Sequence, residues 1–444
     1  MTLLKTILKK IFSHLLIFLF TFSLISKTTN AQSVKNETDK EKFFRLSHQI
    51  GMAVGKKDFA KATKLQKERC DISPTNPYEQ YCLARAYALN KETDKAFNYL
   101  EKTLLMEGKF LLNLKADKEF YNSFNKKKIG DFLQKAKKKL VSVGKSETAY
   151  IIKDKKLIPE GVAYDEVTRK LYISSIYKRK IVCIDKNGKV TDFKTSVEDG
   201  LLGVVGMEVD PVRRHLWVCS GYYSNNKIYE IENTSDRETR IYKYNIDNGK
   251  LLGKFAFANG ERGFFNDVTI SKTGDAYFTD THRTNVYKIP FGSSEIKLFF
   301  SDKNMFFTNG ITISDNGKNL FVASHTGIRV VDTKTGKGKL IKHSDEITLT
   351  GIDGLAFYKN TLIAHQGFAL GGIMQYKLNE THDKVISRKK LDMFNPLFNI
   401  PTTGEIVGDK YFYIANAQVR SFDKNGELLP EDKLEEVYIL KLSL

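Results

Sequence analysis

Six copies of one short segment recur between residues 159 and 407, and no other feature limits the architecture of this chain so strongly. The copies are Pro159-Glu160-Gly161-Val162-Ala163-Tyr164, Val205-Gly206-Met207-Glu208-Val209, Asn266-Asp267-Val268-Thr269-Ile270, Asn309-Gly310-Ile311-Thr312-Ile313, Asp353-Gly354-Leu355-Ala356-Phe357 and Thr403-Gly404-Glu405-Ile406-Val407. Each is followed by a second apolar run: Leu171-Tyr172-Ile173, Leu216-Trp217-Val218, Ala276-Tyr277-Phe278, Leu320-Phe321-Val322, Leu362-Ile363-Ala364 and Phe412-Tyr413-Ile414. Two further strand patterns fit before the next copy, as with Asn285 to Ile289 and Ile296 to Phe299. Turn signals such as Asp185-Lys186-Asn187-Gly188 and Asp423-Lys424-Asn425-Gly426 separate the runs. Four strands per copy, at spacings of 43 to 61 residues, describe the blades of a propeller. A β-sandwich needs one set of about seven strands and no repeat. The pattern therefore predicts an all-β six-bladed β-propeller over residues 148–444.

Residues 41–141 follow another period. They show helical spacing, few glycines and a turn at Ser73-Pro74-Thr75-Asn76-Pro77. Ala62 and Ala96 lie 34 apart, with Leu83, Ala84 and Tyr87 where a helix pair packs. This resembles tetratricopeptide repeats, whose period is about 34 residues. About two repeats fit, without the early Trp of that family. Such repeats stack to share a core and need about three, so Phe110 to Leu140 is expected to add a capping helix, or the stack to lean on the propeller.

Composition bounds the remaining choices. With 444 residues, 41% hydrophobic and 28% charged, the chain can bury one large core and a smaller one. Lys5, Lys9 and Lys10 precede the apolar run Ile11 to Ile25, and Thr29-Asn30-Ala31 follows. These are the three parts of a signal peptide, spanning 1–31, which predicts a secreted or periplasmic protein with no transmembrane span once it is removed. An uncleaved anchor would want about 20 apolar residues. The residue directly after Ala31 is Gln32 rather than Cys, which argues against a bacterial lipid anchor. Cys70 with Cys82, and Cys183 with Cys219, are read either as disulfides or as buried thiols, because spacing alone cannot orient their Cβ atoms. A net charge of +19 in an exported protein points to acidic glycans or membrane surfaces rather than to nucleic acid. The basic tract from Lys126 to Lys139 has Ile129, Phe132 and Leu133 between its charges and reads as the solvated face of a helix.

In a propeller the same position of each repeat meets itself around the central axis. The residue before the shared Gly or Asp is Glu160, Val205, Asn266, Asn309, Asp353 and Thr403. Glu160, Asn266, Asn309 and Asp353 would form a hard-oxygen cage whose two carboxylates nearly neutralise a divalent ion. Calcium suits such donors best; magnesium and manganese are compatible, and zinc prefers nitrogen or sulfur. Asn and Asp before Gly are also ordinary turn residues. Glu160 has no such preference, and four polar groups converging on a buried axis would otherwise leave charge unpaired.

These segments, with Phe265-Asn266-Asp267, Thr308-Asn309-Gly310-Ile311-Thr312-Ile313-Ser314-Asp315-Asn316-Gly317-Lys318 and Ile352-Asp353-Gly354-Leu355-Ala356, resemble the senescence marker protein and gluconolactonase family over residues 157–420. The resemblance implies that Glu160, Asn309 and Asp353 bind the metal directly. It also implies that Asn266 and Asp267 lie beside it and help hold substrate or a water at the metal, and that the activity is hydrolysis of lactones or related esters. One departure stands out: Phe264 occupies the position where gluconolactonase-like members commonly carry an Arg that holds the sugar, with Arg262 two residues further back. The departure puts a sugar lactone in question as the substrate.

Hydrolysis also needs a group that accepts a proton from water. Asp280, His282, His325 and His365 sit at the ends of second strands, and Asp353 could itself serve. Each histidine has an ordinary reading as a loop residue or strand-end hydrogen-bonder, and Asp280 as a turn residue. Two functions follow: a metal-dependent lactone or ester hydrolase, or a binding propeller with a structural metal whose helical repeats dock a protein partner.

Overall fold

The computed structural model describes residues 37–222, 238–258 and 260–444; the segment read as a signal peptide lies outside them. Among the described residues no helix is long and apolar enough to cross a membrane.

The repeat folds as expected into six four-stranded antiparallel sheets. Five are built in chain order: β2–β5 (Val162–Asp165, Lys170–Ser175, Lys180–Ile184, Val190–Lys194), β6–β9 (Gly203–Asp210, His215–Gly221, Arg240–Asn245, Leu251–Phe255), β10–β13 (Phe265–Ile270, Ala276–Asp280, Asn285–Ile289, Lys297–Ser301), β14–β17 (Ile311–Ile313, Asn319–Ser324, Gly327–Asp332, Gly338–Leu340) and β18–β21 (Leu355–Tyr358, Thr361–Gln366, Gly372–Leu378, Val385–Met393). The sixth combines β22–β24 (Gly404–Val407, Lys410–Ile414, Val437–Ser443) with β1 (Glu147–Ile152) as its outer strand. Ile152 pairs with Val437 and Glu147 with Lys441, so the two ends of the propeller sequence close the ring through a ladder of hydrogen bonds. Closure joins the blades into a ring and leaves one outer edge strand on each.

Burial follows the position of a strand in its blade. Second strands such as β3, β7 and β15 lie between neighbouring blades and are buried on both faces, which is why they read as continuous apolar runs. The outer strand β17 is fully exposed. The core is correspondingly divided into layers between adjacent blades: Tyr172, Ile181, Leu201 and Met207 join the first two, and Ile173, Val182, Ile414 and Val437 join the sixth to the first.

Before the propeller stand α1 (Asp39–Gly55), α2 (Phe59–Cys70), α3 (Pro77–Leu89), α4 (Thr93–Leu105), a 3₁₀ helix (Lys109–Ala116), α5 (Lys118–Asn122) and α6 (Lys126–Lys139). Their starts are fixed by local chemistry: Thr38 and Glu41 form a capping box, and Asp58, Asn76 and Asn125 accept backbone N–H bonds, with Pro77 at the first turn of α3. The basic tract is α6. It buries Ile129, Phe132, Leu133 and Ala136 against Leu100, Leu104 and Phe120, and leaves its lysines outside. Arg69 and Glu79 form a buried ion pair at 2.9 Å between α2 and α3. All four cysteines are free thiols, and burial pushes Cys70 and Cys82 up to about 12 and about 11.

The helical stack leans on the propeller. Phe43 of α1 packs on Phe306 (5.3 Å) and His325 (4.9 Å), Lys40 Nζ donates to His282 O at 2.5 Å, and Ser73 Oγ donates to His325 O at 3.1 Å. Farther along, the Lys109 N–H donates to Ala369 O at 3.1 Å, and Glu107 pairs with Lys390 at 2.8 Å. The contacted connections at 282, 306–307, 325 and 367–369 join second to third strands or precede inner strands. Strand alternation places all of them on the face at which the inner strands begin.

Candidate functional site

The same face carries the ring predicted from the repeat. Glu160, Asn266, Asn309, Asp353 and Thr403 each stand at or just before the start of an inner strand, β2, β10, β14, β18 and β22. The next residue in five blades is glycine, for a steric reason. A Cβ on Gly161 would come within 2.1 Å of Val205 O, and on Gly310 within 2.5 Å of Asp353 O. Adjacent inner strands approach backbone to backbone around the axis and leave no room for a side chain. The third blade has Asp267 at this position. Its carboxylate accepts from Val268 N at 3.0 Å and Ile311 N at 3.3 Å, and it stands where a Cβ on Gly206 would strike it.

Glu160 is 7% exposed, and its Oε2 is buried without a hydrogen-bond partner. Burial first, then the negative charges of Asp353 and Asp267, push its carboxyl well above the usual range. The backbone here is held firmly: Thr402 Oγ1 and Thr403 Oγ1 donate to Glu160 O at 2.9 and 2.6 Å. Asp353 is raised to about 6 by burial, against the hydrogen bond from Asn309 Nδ2 to its Oδ1 at 2.7 Å and the nearby charge of Arg420. Asp267 is raised to about 7, again by burial. Asn266 Nδ2 donates to Thr281 Oγ1 at 3.0 Å.

This donor set fits a hard divalent cation. An orphaned, buried carboxylate oxygen marks a place where positive charge is wanted, and a second carboxylate and two amides stand at the starts of three other inner strands, β18, β10 and β14. Among the described residues no group of three or more His, Cys, Asp or Glu has a metal-binding arrangement. Glu160 and Asp353 are the two carboxylates at the repeat position, with Asp267 close enough for its charge to act on Glu160.

Deeper in the channel is a cavity of about 300 Å³ lined by Glu208, Asp267, Asp315 and Glu405. Burial raises Glu405 to about 8, with the charges of Asp267 and Glu166 adding to the shift, and raises Glu208 well above its ordinary range, with the charge of Glu405 adding to it. Strand alternation could have found Glu405, two residues beyond Thr403 on the same face of β22. Glu208 is displaced from that register by the irregularity in β6 between Val204 and Met207.

Of the remaining candidates, His365 adjoins the ring through its backbone, where Asp353 N donates to its O at 2.8 Å, and Asp280 pairs with Phe265 beside Asn266. His365 is fully buried, shares a 2.9 Å hydrogen bond from Nε2 to the Tyr411 hydroxyl, and is pushed by burial down to about 3. His325 is packed among Phe43, Phe306 and Phe307 and pushed by burial down to about 4. Burial thus disfavours the protonated form of both rings. Burial also lowers His282, beneath α1. Asp280 Oδ1 accepts from the N–H groups of Phe264, His282 and Arg283 at 2.9 to 3.0 Å, the geometry of a turn-organising carboxylate.

No protein-family model matches the chain, and no curated protein matches it. Among solved structures it is similar to a gluconolactonase from Xanthomonas campestris, at 16% identity over 64% of this chain and 85% of that chain, TM-score 0.44. Regucalcin from Agrobacterium tumefaciens, a calcium-binding protein, is 14% identical over 66% of this chain and 93% of its own, TM-score 0.44. Virginiamycin B lyase from Staphylococcus aureus is 14% identical over 68% and 100%, TM-score 0.43. At such identities these likenesses do not fix a chemistry. The six closed sheets establish the architecture by themselves: the chain is a six-bladed β-propeller preceded by helices, with gluconolactonase- and regucalcin-type propellers among its structural neighbours.

Proposed function

We propose that the chain is a divalent-cation-dependent hydrolase of lactones or carboxylic esters, working at the channel mouth, with calcium as the ion its oxygen donors suit best. The observation that carries this reading is the Glu160 Oε2 atom, buried without a partner in a ring that also holds Asp353, Asn309 and Asn266. Glu160, Asn309 and Asp353 would hold the ion, with Asn266 beside them. The bound ion would polarise the substrate carbonyl and offset the charge that develops on its oxygen.

The chain's own groups do the rest. Asn309 Nδ2 occupies Asp353 Oδ1 and leaves Oδ2 for a proton. Asp353 Oδ2 is thus placed to take a proton from water. Asn266, fixed by Thr281, orients substrate at the rim. The charge pattern of residues 1–31 supports export to the periplasm or beyond.

Steady-state hydrolysis of an aryl ester by Asp353→Asn tests the assignment. A drop in kcat of about a hundredfold or more at unchanged unfolding temperature is expected. Unchanged turnover would remove Asp353 from the reaction. A second reading, a binding propeller with a structural ion, draws on the helical stack docked across the mouth face.

A further inference from the structure

We propose that the C-terminal half of α6 and strand β21 together form a basic surface that docks reversibly on an anionic phospholipid membrane. The surface lies outside the channel site and does not rest on hydrolysis.

Charge is spread unevenly along the chain. Residues 39–141 hold 23 Lys and Arg against 13 Asp and Glu, whereas residues 142–444, about three times as many, hold 43 against 38. The excess peaks in α6, which has seven lysines and one acid, Asp131. Three of those lysines, Lys126 to Lys128, open the helix, where its dipole disfavours positive charge. The helix's own stability does not call for them.

The far end of α6 meets the propeller. Val143 N donates to Met393 O at 3.0 Å and lays the chain leaving α6 beside β21. Lys139 Nζ and Arg388 Nη2 both donate to Leu105 O, at 3.4 and 3.5 Å. Cations from the helical region and from the fifth blade thus converge on one carbonyl at the end of α4. Lys135 and Lys138 line the same shallow depression as Lys139, of about 490 Å³, with Asp131 beside them. Burial holds Lys139 below its usual range; Glu107 opposes that shift, and the charges of Arg388, Lys390 and Lys135 add to it, which places these cations within reach of one another's fields.

Some of this charge is paired. Glu107 holds Arg388 at 3.5 Å and Lys390 at 2.8 Å, and Glu101 holds Lys135 at 2.6 Å. With Asp131, three acids face Lys135, Lys138, Lys139, Arg388 and Lys390, and the surface stays net positive. Attraction to an anionic bilayer acts through that net field and requires no free donor. Apolar side chains lie among the charges: Leu105, 44% exposed, carries the shared carbonyl, and Val141, 46% exposed, follows Lys139 by two residues. A dissolved polyanion would gain nothing from them, whereas the headgroup region of a bilayer accepts apolar side chains beside cationic ones. The alternative is a face that is merely solvated. The export proposed above would bring the chain to membrane surfaces.

Sedimentation with vesicles separates these readings. The processed chain from Gln32 is used, because the apolar run Ile11 to Ile25 would bind lipid by itself. Vesicles of phosphatidylcholine alone are compared with vesicles containing about one-third phosphatidylglycerol. Binding to the anionic vesicles only is expected, weakening as sodium chloride is raised from about 0.1 M to about 0.5 M. The double variant Lys135→Gln with Lys138→Gln should weaken it about thirtyfold, from roughly fivefold per lysine near an anionic surface. Leu105→Ser with Val141→Ser should weaken it about fivefold. Lys186→Gln with Lys189→Gln, on an exposed turn of the first blade, removes the same charge and should leave binding within about twofold. All three double variants should unfold within a few degrees of the parent. Unchanged binding in either patch variant, an equal loss in the first-blade variant, or no binding of the parent to anionic vesicles overturns the proposal. Retention of the parent on immobilised heparin without vesicle binding would assign the surface to a soluble polyanion instead.

Discussion

Replacing Glu160 by Gln keeps the shape of the side chain and removes its charge. In the metal-free protein the Glu160 carboxylate is buried, lacks a partner on Oε2 and is opposed by Asp353 and Asp267. An unsatisfied buried polar group costs about 1–3 kcal/mol, more when charged, so the metal-free variant should be at least as stable as the parent and up to about 3 kcal/mol more so. With calcium the order reverses. The parent should gain about 2.7 kcal/mol at a concentration a hundredfold above its Kd. The variant, with one of two carboxylates left, should lose about 3–5 kcal/mol of binding free energy, about two to four orders of magnitude in Kd. Thermal unfolding of both proteins, with chelator and then across a calcium titration, reads both halves. Equal calcium-induced shifts in parent and Glu160→Gln, or a metal-free variant several degrees less stable than the parent, would refute the reasoning that this oxygen is kept for a cation.

Other expectations follow from the surrounding structure. Gly161→Ala places a Cβ 2.1 Å from Val205 O and should destabilise the propeller by about 1–3 kcal/mol or more, read by urea unfolding. Glu79→Gln leaves Arg69 buried without its partner and should cost about 3–5 kcal/mol, again by urea unfolding. Burial pushes His325 down to about 4, so the unfolded chain takes up a proton that the folded protein refuses. The neutral ring's contribution is complete above pH about 6.5, is lost as pH falls toward about 4, and amounts to about 3 kcal/mol at most. The raised carboxylates give a slope of opposite sign, which cancels when His325→Phe is compared with the parent across that range. A difference that does not change with pH would contradict the placement of His325.

The ring is legible in the sequence because repetition does the alignment: Glu160, Asn309 and Asp353 occupy one repeat position, and closure must bring them to one axis. The glycines beside them are legible for the same reason, and Asp267 stands out as the residue that breaks the pattern. The histidines are not legible. A strand-end histidine can face solvent or the interior, and only the packing of Phe43 and Phe306 on His325, or of Tyr411 on His365, decides which. The docking contacts, such as Phe43 on Phe306 and Lys109 on Ala369, share no repeat register; they depend on how the helical stack seats on the propeller, and local periodicity carries no signal of that.

The central claim, an ion-dependent hydrolase at the propeller mouth, is tested most directly by proton release from a panel of aliphatic, aromatic and sugar lactones and aryl esters, with calcium and with chelator. Turnover that requires calcium, vanishes with chelator and falls about a hundredfold in Asp353→Asn is the predicted result. Turnover indifferent to chelator, or none on any member of the panel by the calcium-loaded protein, would contradict it.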